Sequence, residues 1–180
     1  MAGRLQINFE YNSTEDRLLL RISEKESHGM CIEYRAWFTR RFVNLFIKAI
    51  DKLIEDELAG DLQLSPDSLK AMKKFQQEAA LEKADFTTSY KADAESCTPT
   101  GEEPILVTKL NLKKKSKNKY VLSFLTNENT GINITADIDL IHTIRKMLHA
   151  SVKKAGWNQP VSQSAEEEVV ASETGSMRVS

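Results

Sequence analysis

The sequence predicts an α+β fold made of two similar units, each with three antiparallel strands followed by a helix, plus an extra central helix. Three observations support this: short stretches alternate apolar and polar residues, each alternation changes into a helical spacing of three and four, and this order occurs twice. A glycine marks each unit, and Gly29 and Gly131 are 102 residues apart. At that spacing the inward-facing residues coincide without a gap: Leu18, Leu20 and Ile22 with Tyr120, Leu122 and Phe124.

Composition favours one globular domain. The chain has 180 residues, of which 41% are hydrophobic and 28% charged, both close to globular averages. We assign residues 1–157 to a single pseudo-duplicated domain, with a first repeat at 4–59, a central helix at 65–83, a linker at 84–104 and a second repeat at 105–156. Residues 158–180 are poor in large apolar side chains, and we expect a disordered tail there.

The net charge, the cysteines and the length of the apolar runs predict where the protein is located and whether it holds a cofactor. The net charge of −1 points to no particular class of charged partner. No apolar run reaches the roughly 20 residues of a membrane span, and the first residues lack a signal-peptide core, so we expect a cytoplasmic protein without membrane contact. Cys31 and Cys97 fit neither a disulfide framework nor a metal site, and we expect reduced thiols and no cofactor.

The first repeat and the central helix follow from changes in period. Three stretches alternate as half-buried strands, 5–11, 18–22 and 30–34. From about Trp37 to Leu58 the spacing is helical, with Leu45 included in the apolar stripe, and Gly60 ends the helix. Residues 65 and 66, a serine and a proline, start the central helix as N-cap and first helical residue.

The second repeat has the same order of elements. Its predicted strands are 105–112, 119–126 and 131–136, with a lysine-rich turn at 113–118. Asp137 is placed to cap the last helix, which Gly156 ends. On the sheet faces that should meet water lie three apolar residues, Leu19, Val121 and Leu125. Exposed apolar patches are typical of interfaces.

Three phrases carry a resemblance to known proteins: EDRLLLR at 15–21, YRAWFTRRF at 34–42 and GEEPILVTKL at 101–110. They resemble a family of short, uncharacterised proteobacterial proteins over most of the chain except the tail. This resemblance implies a bacterial, cytoplasmic protein and transfers no activity, cofactor or site residue. The order of strands and helices is also similar to Whirly-type single-strand-binding folds, although each unit here has three strands rather than four, and a fold does not fix a function.

The first candidate site lies where the third strand meets its helix and consists of Arg35, Trp37, Arg40 and Arg41. Cations at a helix N-terminus are unfavourable unless an anion meets them, so this junction could bind phosphate or carboxylate. The alternative is that the arginines pair with acids such as Glu33 or Asp16 and that the tryptophan belongs to the core.

The second candidate site is a run of lysines in the predicted turn, Lys113, Lys114, Lys115 and Lys117. Lysines on a turn contact nucleic-acid phosphates without reading sequence. Single-strand binders also stack bases on aromatic rings, and here only Tyr120 is near in sequence. The alternative is a solvated turn that keeps a sheet edge from aggregating.

No motif indicates catalysis or a metal centre. The three histidines stand at no metal-ligand spacing from a cysteine or an acid, and neither a phosphate-binding glycine loop nor a nucleophile motif occurs. The sequence therefore predicts a non-enzymatic binding or adaptor module that acts through contacts with a protein partner or through homo-oligomer formation. The alternative is a single-stranded nucleic-acid-binding protein of Whirly-like topology.

Overall fold

A computed structural model describes residues 4–25, 31–59, 65–84, 90 and 96–157. The elements of these residues are β1 (Arg4–Asn12), β2 (Arg17–Lys25), β3 (Cys31–Thr39), α1 (Arg40–Ala59), α2 (Pro66–Lys83), β4 (Ile105–Leu106), β5 (Lys109–Ser116), β6 (Lys119–Leu125), β7 (Gly131–Asp137) and α3 (Ile138–Lys154). The predicted α+β class and the order of three strands followed by a helix are confirmed. The predicted tail, Gly29 and Gly60 lie outside the described residues.

The strands form two sheets that share one core. The first sheet has the order β1-β2-β3-β4 and the second β5-β6-β7, with antiparallel neighbours except for the parallel pair β3 and β4. The ring of Phe124 lies 5.3 Å from that of Phe38 and 5.2 Å from that of Phe46, which joins both sheets to α1. All six predicted inward residues are buried: Leu18, Leu20, Ile22, Tyr120, Leu122 and Phe124.

The gapless spacing of 102 residues is wrong in register. Lys25 lies opposite Cys31, and Leu125 lies opposite Gly131, so the two hairpins correspond at an offset of 100. Because β3 has nine residues and β7 has seven, the offset falls to 98 in the helices, where Phe46 corresponds to Ile144. A slip of two residues keeps every strand residue on its own face, which is why the predicted core survives the error.

β3 is longer than predicted. We expected a helix from about Trp37, but this residue lies in the strand, opposite Leu19 of β2, and its carbonyl accepts a hydrogen bond from Val107 N at 3.1 Å. Bonding on both sides holds the backbone extended to Thr39, whose Oγ1 accepts from Phe42 N at 3.2 Å and so caps α1.

The segment before β5 passes from one sheet to the other. Cys97 N donates to the Cys31 carbonyl at 2.8 Å, and further along, Val107 N donates to β3 of the first sheet. The next amide, that of Thr108, donates to the Leu125 carbonyl of the second sheet at 2.9 Å. A single strand over 105–112 is therefore wrong, because the chain changes sheets between residues 107 and 108.

Local signals place α2 and α3 as predicted. Ser65 Oγ accepts from Ser68 N at 3.3 Å ahead of Pro66, and Asp137 Oδ1 accepts from Leu140 N at 2.8 Å. None of the helices in the described part is long and apolar enough to cross a membrane.

Candidate functional site

The first turns of α1 line an open groove of about 500 Å³, here called the α1 groove, formed by Arg40, Arg41, Asn44, Leu45 and Lys48. Their spacing of three and four puts these side chains on one side of the helix. Leu45 is 53% exposed, so its expected place in the core is wrong. The helix buries a wide stripe through its neighbours Phe42, Val43 and Phe46, which leaves Leu45 outside that stripe among cations.

Arg40 is held at the edge of the α1 groove by a cluster here called the Asp16 clasp. Its guanidinium donates from Nη2 to the Trp157 carbonyl at 2.9 Å. Asp16 Oδ1 in turn accepts from Trp157 Nε1 and from the Tyr11 hydroxyl, both at 2.9 Å. These hydrogen bonds, that of Trp157 first, and the charge of Arg40 lower the pKa of the Asp16 carboxyl. The clasp therefore fixes Arg40, whereas Arg41 and Lys48 are exposed cations.

A second groove of about 450 Å³ follows along α1, between the helix and β5. At its far end Lys114 Nζ lies 2.7 Å from Glu57 Oε2, and the Tyr120 hydroxyl donates to the same oxygen. The hydrogen bond from Lys114, followed by that from Tyr120, lowers the pKa of Glu57. Burial, and then the bond to Glu57, raise the pKa of Tyr120. This groove is mixed in charge because Lys52 and Asp56 also line it.

The structure does not bring Arg35 and Trp37 into the α1 groove. They lie on β3 and point to the outer face of the first sheet, where Arg35 Nη2 donates to the Glu102 carbonyl at 2.6 Å. Arg35 Nε lies 4.0 Å from Glu33 Oε2, and the buried Glu33 accepts from the Tyr90 hydroxyl at 2.6 Å. Burial, and then that hydrogen bond, raise the pKa of Tyr90.

The lysines are mostly in a strand rather than in a turn. β5 continues to Ser116 through a bulge between Lys114 and Ser116, so that only Lys117 of the predicted lysines lies in the turn with Asn118. All four lysines are exposed, but Lys114 is turned toward α1 by its ion pair with Glu57.

The predicted apolar patch on the outer sheet faces is only partly present. Leu19 is 8% exposed and therefore buried, because it lies beside Trp37 on the covered face of the first sheet. Val121 and Leu125 on the second sheet are half-buried. The most exposed apolar side chains of the described residues are instead Phe75 on α2 and Leu45 on α1.

Sequence reasoning missed Asn44, Leu45 and Lys48 as parts of a site. A signal existed, since residues 41, 44, 45 and 48 recur at helical spacing with two cations around one leucine. Comparison with known proteins adds no assignment, because no family model, no curated protein and no solved structure matches the chain. The described residues contain no group of three or more His, Cys, Asp or Glu side chains that could hold a metal ion.

Proposed function

We propose that the protein is a non-catalytic binding module whose α1 groove takes an acidic protein segment that carries an apolar side chain. The observation that supports this is Leu45, which is 53% exposed between Arg41 and Lys48. An apolar centre with a polar rim is the usual anatomy of a protein interface. Covering the exposed half of Leu45 contributes about 0.8–1.6 kcal/mol, which is more than most single surface ion pairs contribute.

The lining of the grooves favours a protein ligand over nucleic acid. The residues that line the α1 groove include no aromatic ring on which a base could stack. The second groove mixes Asp56 and Glu57 with Lys52 and Lys114, so the two grooves offer no continuous row of cations to a phosphate backbone along α1. A peptide, in contrast, can place acidic side chains beside Arg41 and Lys48 and basic ones beside Asp56.

The proposal is tested by selecting random short peptides on the full chain and measuring the affinity of the selected peptides by fluorescence anisotropy. We expect selected peptides to combine Glu or Asp with Leu, Ile or Phe. Leu45→Ser should weaken their binding about five- to tenfold, which corresponds to about 1–1.4 kcal/mol. Lys70→Glu changes an exposed lysine of α2 outside the grooves and serves as the control. The proposal would be refuted if the selected peptides bound the Leu45→Ser variant with the same affinity as the wild type.

The second candidate function is single-stranded nucleic-acid binding, and the exposed Lys113, Lys115 and Lys117 on one hairpin favour it. Replacing these three lysines by alanine should reduce the slope of log affinity against log salt by about 2 units, since each phosphate contact to a single strand contributes about 0.7. Lys114 is left unchanged because it is bound to Glu57. Failure to bind oligonucleotides at about 50 mM salt would eliminate this candidate.

The proposed cellular setting is the bacterial cytoplasm. It is supported by the resemblance of the phrases at 15–21, 34–42 and 101–110 to proteobacterial proteins.

A further inference from the structure

We propose that β7 is a self-association edge, at which two copies of the chain join their second sheets by antiparallel pairing of Gly131–Asp137. The proposal concerns a different surface from the α1 groove. It rests on the direction of the backbone groups along β7 and on a comparison of the sheet edges.

The turn before β7 fixes which backbone groups of this strand point outward. Thr126 N donates to the Thr130 carbonyl at 2.8 Å, so this pair is a hydrogen-bonded pair of the β6–β7 ladder. Hydrogen-bonded and non-hydrogen-bonded pairs alternate in antiparallel sheets. Along the register, the residues whose backbone groups bond to β6 are therefore Ile132, Ile134 and Ala136. Those whose backbone groups point away from β6 are Gly131, Asn133 and Thr135.

The open side of β7 has no backbone partner within the described part of the chain. β7 is the last strand of its sheet. Among the described residues, no backbone group outside its own sheet forms a hydrogen bond with the backbone of β7. Unpaired amides and carbonyls in a row are a template for adding another strand.

The other edges of the two sheets carry features that block such pairing. β4 is only two residues long. β1 carries the exposed Glu10, and its Tyr11 ring packs edge-on against Trp157 at 5.8 Å. β5 carries exposed lysines and a bulge. Short strands, charged side chains and bulges are the usual protection of an edge.

β7 lacks these features except for the charge of Asp137 at its last position. Its exposed side chains before Asp137 are those of Asn133 and Thr135, which are uncharged and hydrogen-bonding, and its ladder with β6 is regular over seven residues. β5 therefore carries several exposed charges that oppose pairing with another strand, whereas β7 carries none before its last residue.

A second copy is the occupant that fits this edge. Antiparallel pairing about a two-fold axis is self-complementary. Outward-pointing residues must face each other, and the register with the greatest overlap is centred on Ile134. It places Asn133 opposite Thr135 of the second copy, where the amide and the hydroxyl can bond. It also places each Asp137 opposite Gly131, so the two carboxylates stay at opposite ends. The result is a continuous six-stranded sheet across the dimer.

Sedimentation equilibrium of the full chain tests the proposal. The wild type should show a monomer–dimer equilibrium. Thr135→Pro removes an outward N–H and leaves the bonds to β6 in place, since proline is tolerated on strand edges. We expect it to weaken dimerisation at least about tenfold while the circular dichroism spectrum is unchanged. Hydrogen exchange of the Asn133 and Thr135 amides should slow as protein concentration rises, and that of the Ile134 amide should not.

A second variant keeps the test decisive if the proline variant does not fold. Asn133→Lys combined with Thr135→Lys should weaken the dimer at low salt and recover partly at high salt, because the four lysines of a dimer repel one another. Asn111→Lys, on the same sheet face at the opposite edge, is the matched control and should leave the dimer intact. A wild type that stays monomeric at about 100 μM, or a dimer that both β7 variants leave unchanged, would overturn the proposal. Neither variant touches the α1 groove, so peptide binding is tested separately.

Discussion

The outer faces of the two sheets differ although the strands beneath them correspond. At an offset of 100 residues, the cross-strand pair Ser23 and Glu33 corresponds to the pair Ser123 and Asn133. Both members of the first pair are 6% exposed, whereas Ser123 is half-buried and Asn133 exposed. Over the first pair lies Tyr90, whose hydroxyl donates to Glu33. The same order of strands thus gives a first sheet whose outer face is covered by another part of the chain and a second sheet whose outer face is exposed at Asn133.

The inner faces, in contrast, belong to one core, and their disruption should give the largest effect. Phe46 and Ile144 correspond at an offset of 98 and are 0% and 2% exposed. We expect Phe46→Ala to cost about 3–5 kcal/mol and Ile144→Ala about 2–5 kcal/mol of the free energy of unfolding. Urea unfolding followed by circular dichroism and by tryptophan fluorescence should give one shared transition for each variant. Separate transitions would show that the halves unfold independently and would break the comparison.

The difference between the outer faces predicts an intermediate effect. Glu33→Ala leaves the half-buried Tyr90 hydroxyl without its acceptor and removes the carboxylate 4.0 Å from Arg35 Nε, which should cost about 1–2 kcal/mol of the free energy of unfolding. Asn133→Ala at the corresponding open position should change it by less than about 0.5 kcal/mol in the monomer. The measurement is urea denaturation of both variants at low protein concentration. An equal loss of the free energy of unfolding in both variants would mean that the contact between Tyr90 and Glu33 does not stabilise the fold.

The two helices should differ in their response to acid. His142 of α3 is 1% exposed and neither ring nitrogen has a hydrogen-bond partner among the described residues, whereas Asn44, its counterpart in α1, is exposed. Burial, and then the charge of Arg145, lower the pKa of His142; Asp139 opposes this and Lys73 adds to it. The unfolded chain therefore takes up this proton more readily. The free energy of unfolding is therefore highest above pH 6.5, where the histidine is neutral in both states. It falls below pH 6.5 by up to about 1.4 kcal/mol per pH unit.

His142→Leu should flatten this dependence when the urea midpoint is measured between about pH 7.5 and 5. Asn44→His places a histidine at the matched exposed position, and we expect the slope of the wild type there. The explanation fails if His142→Leu retains the full loss of stability on acidification.

Local sequence patterns predicted the features that depend on residues close together in the chain, namely the buried faces of the strands and the helix caps. The inward faces followed from alternation, and the caps at Ser65 and Asp137 from residue type and position. The change of sheets after Val107 could not be predicted from the sequence, because residues 105–112 alternate like one strand. The two parts differ only in their partner strands, which are β3 before the change and β6 after it. Trp37 fits both a strand and a helix period, and its assignment depends on pairing with Leu106 of β4 and on the hydrogen bond from Val107 N.

The candidate site was predicted in part. Arg40 and Arg41 do line the α1 groove, and Lys114 lines the neighbouring one. Leu45 was missed because an apolar residue beside a wide apolar stripe looks like part of it, and only packing shows which side of the stripe reaches water. Arg35 was grouped with Arg40 by proximity in sequence, but the strand places it on the opposite surface.

The Asp16 clasp has a consequence for the order of events during synthesis. Its hydrogen bond from Trp157 to Asp16 spans 141 residues, so β1, β2 and α1 emerge from the ribosome long before their last partner exists. Contacts between such distant residues require closure of a long loop and are slow to form. Until Trp157 has been synthesised, Arg40 lacks the carbonyl that accepts its hydrogen bond, and Asp16 lacks the indole N–H that donates to it. The first repeat therefore completes the contacts of its helix start only after the second repeat has been synthesised as far as Trp157.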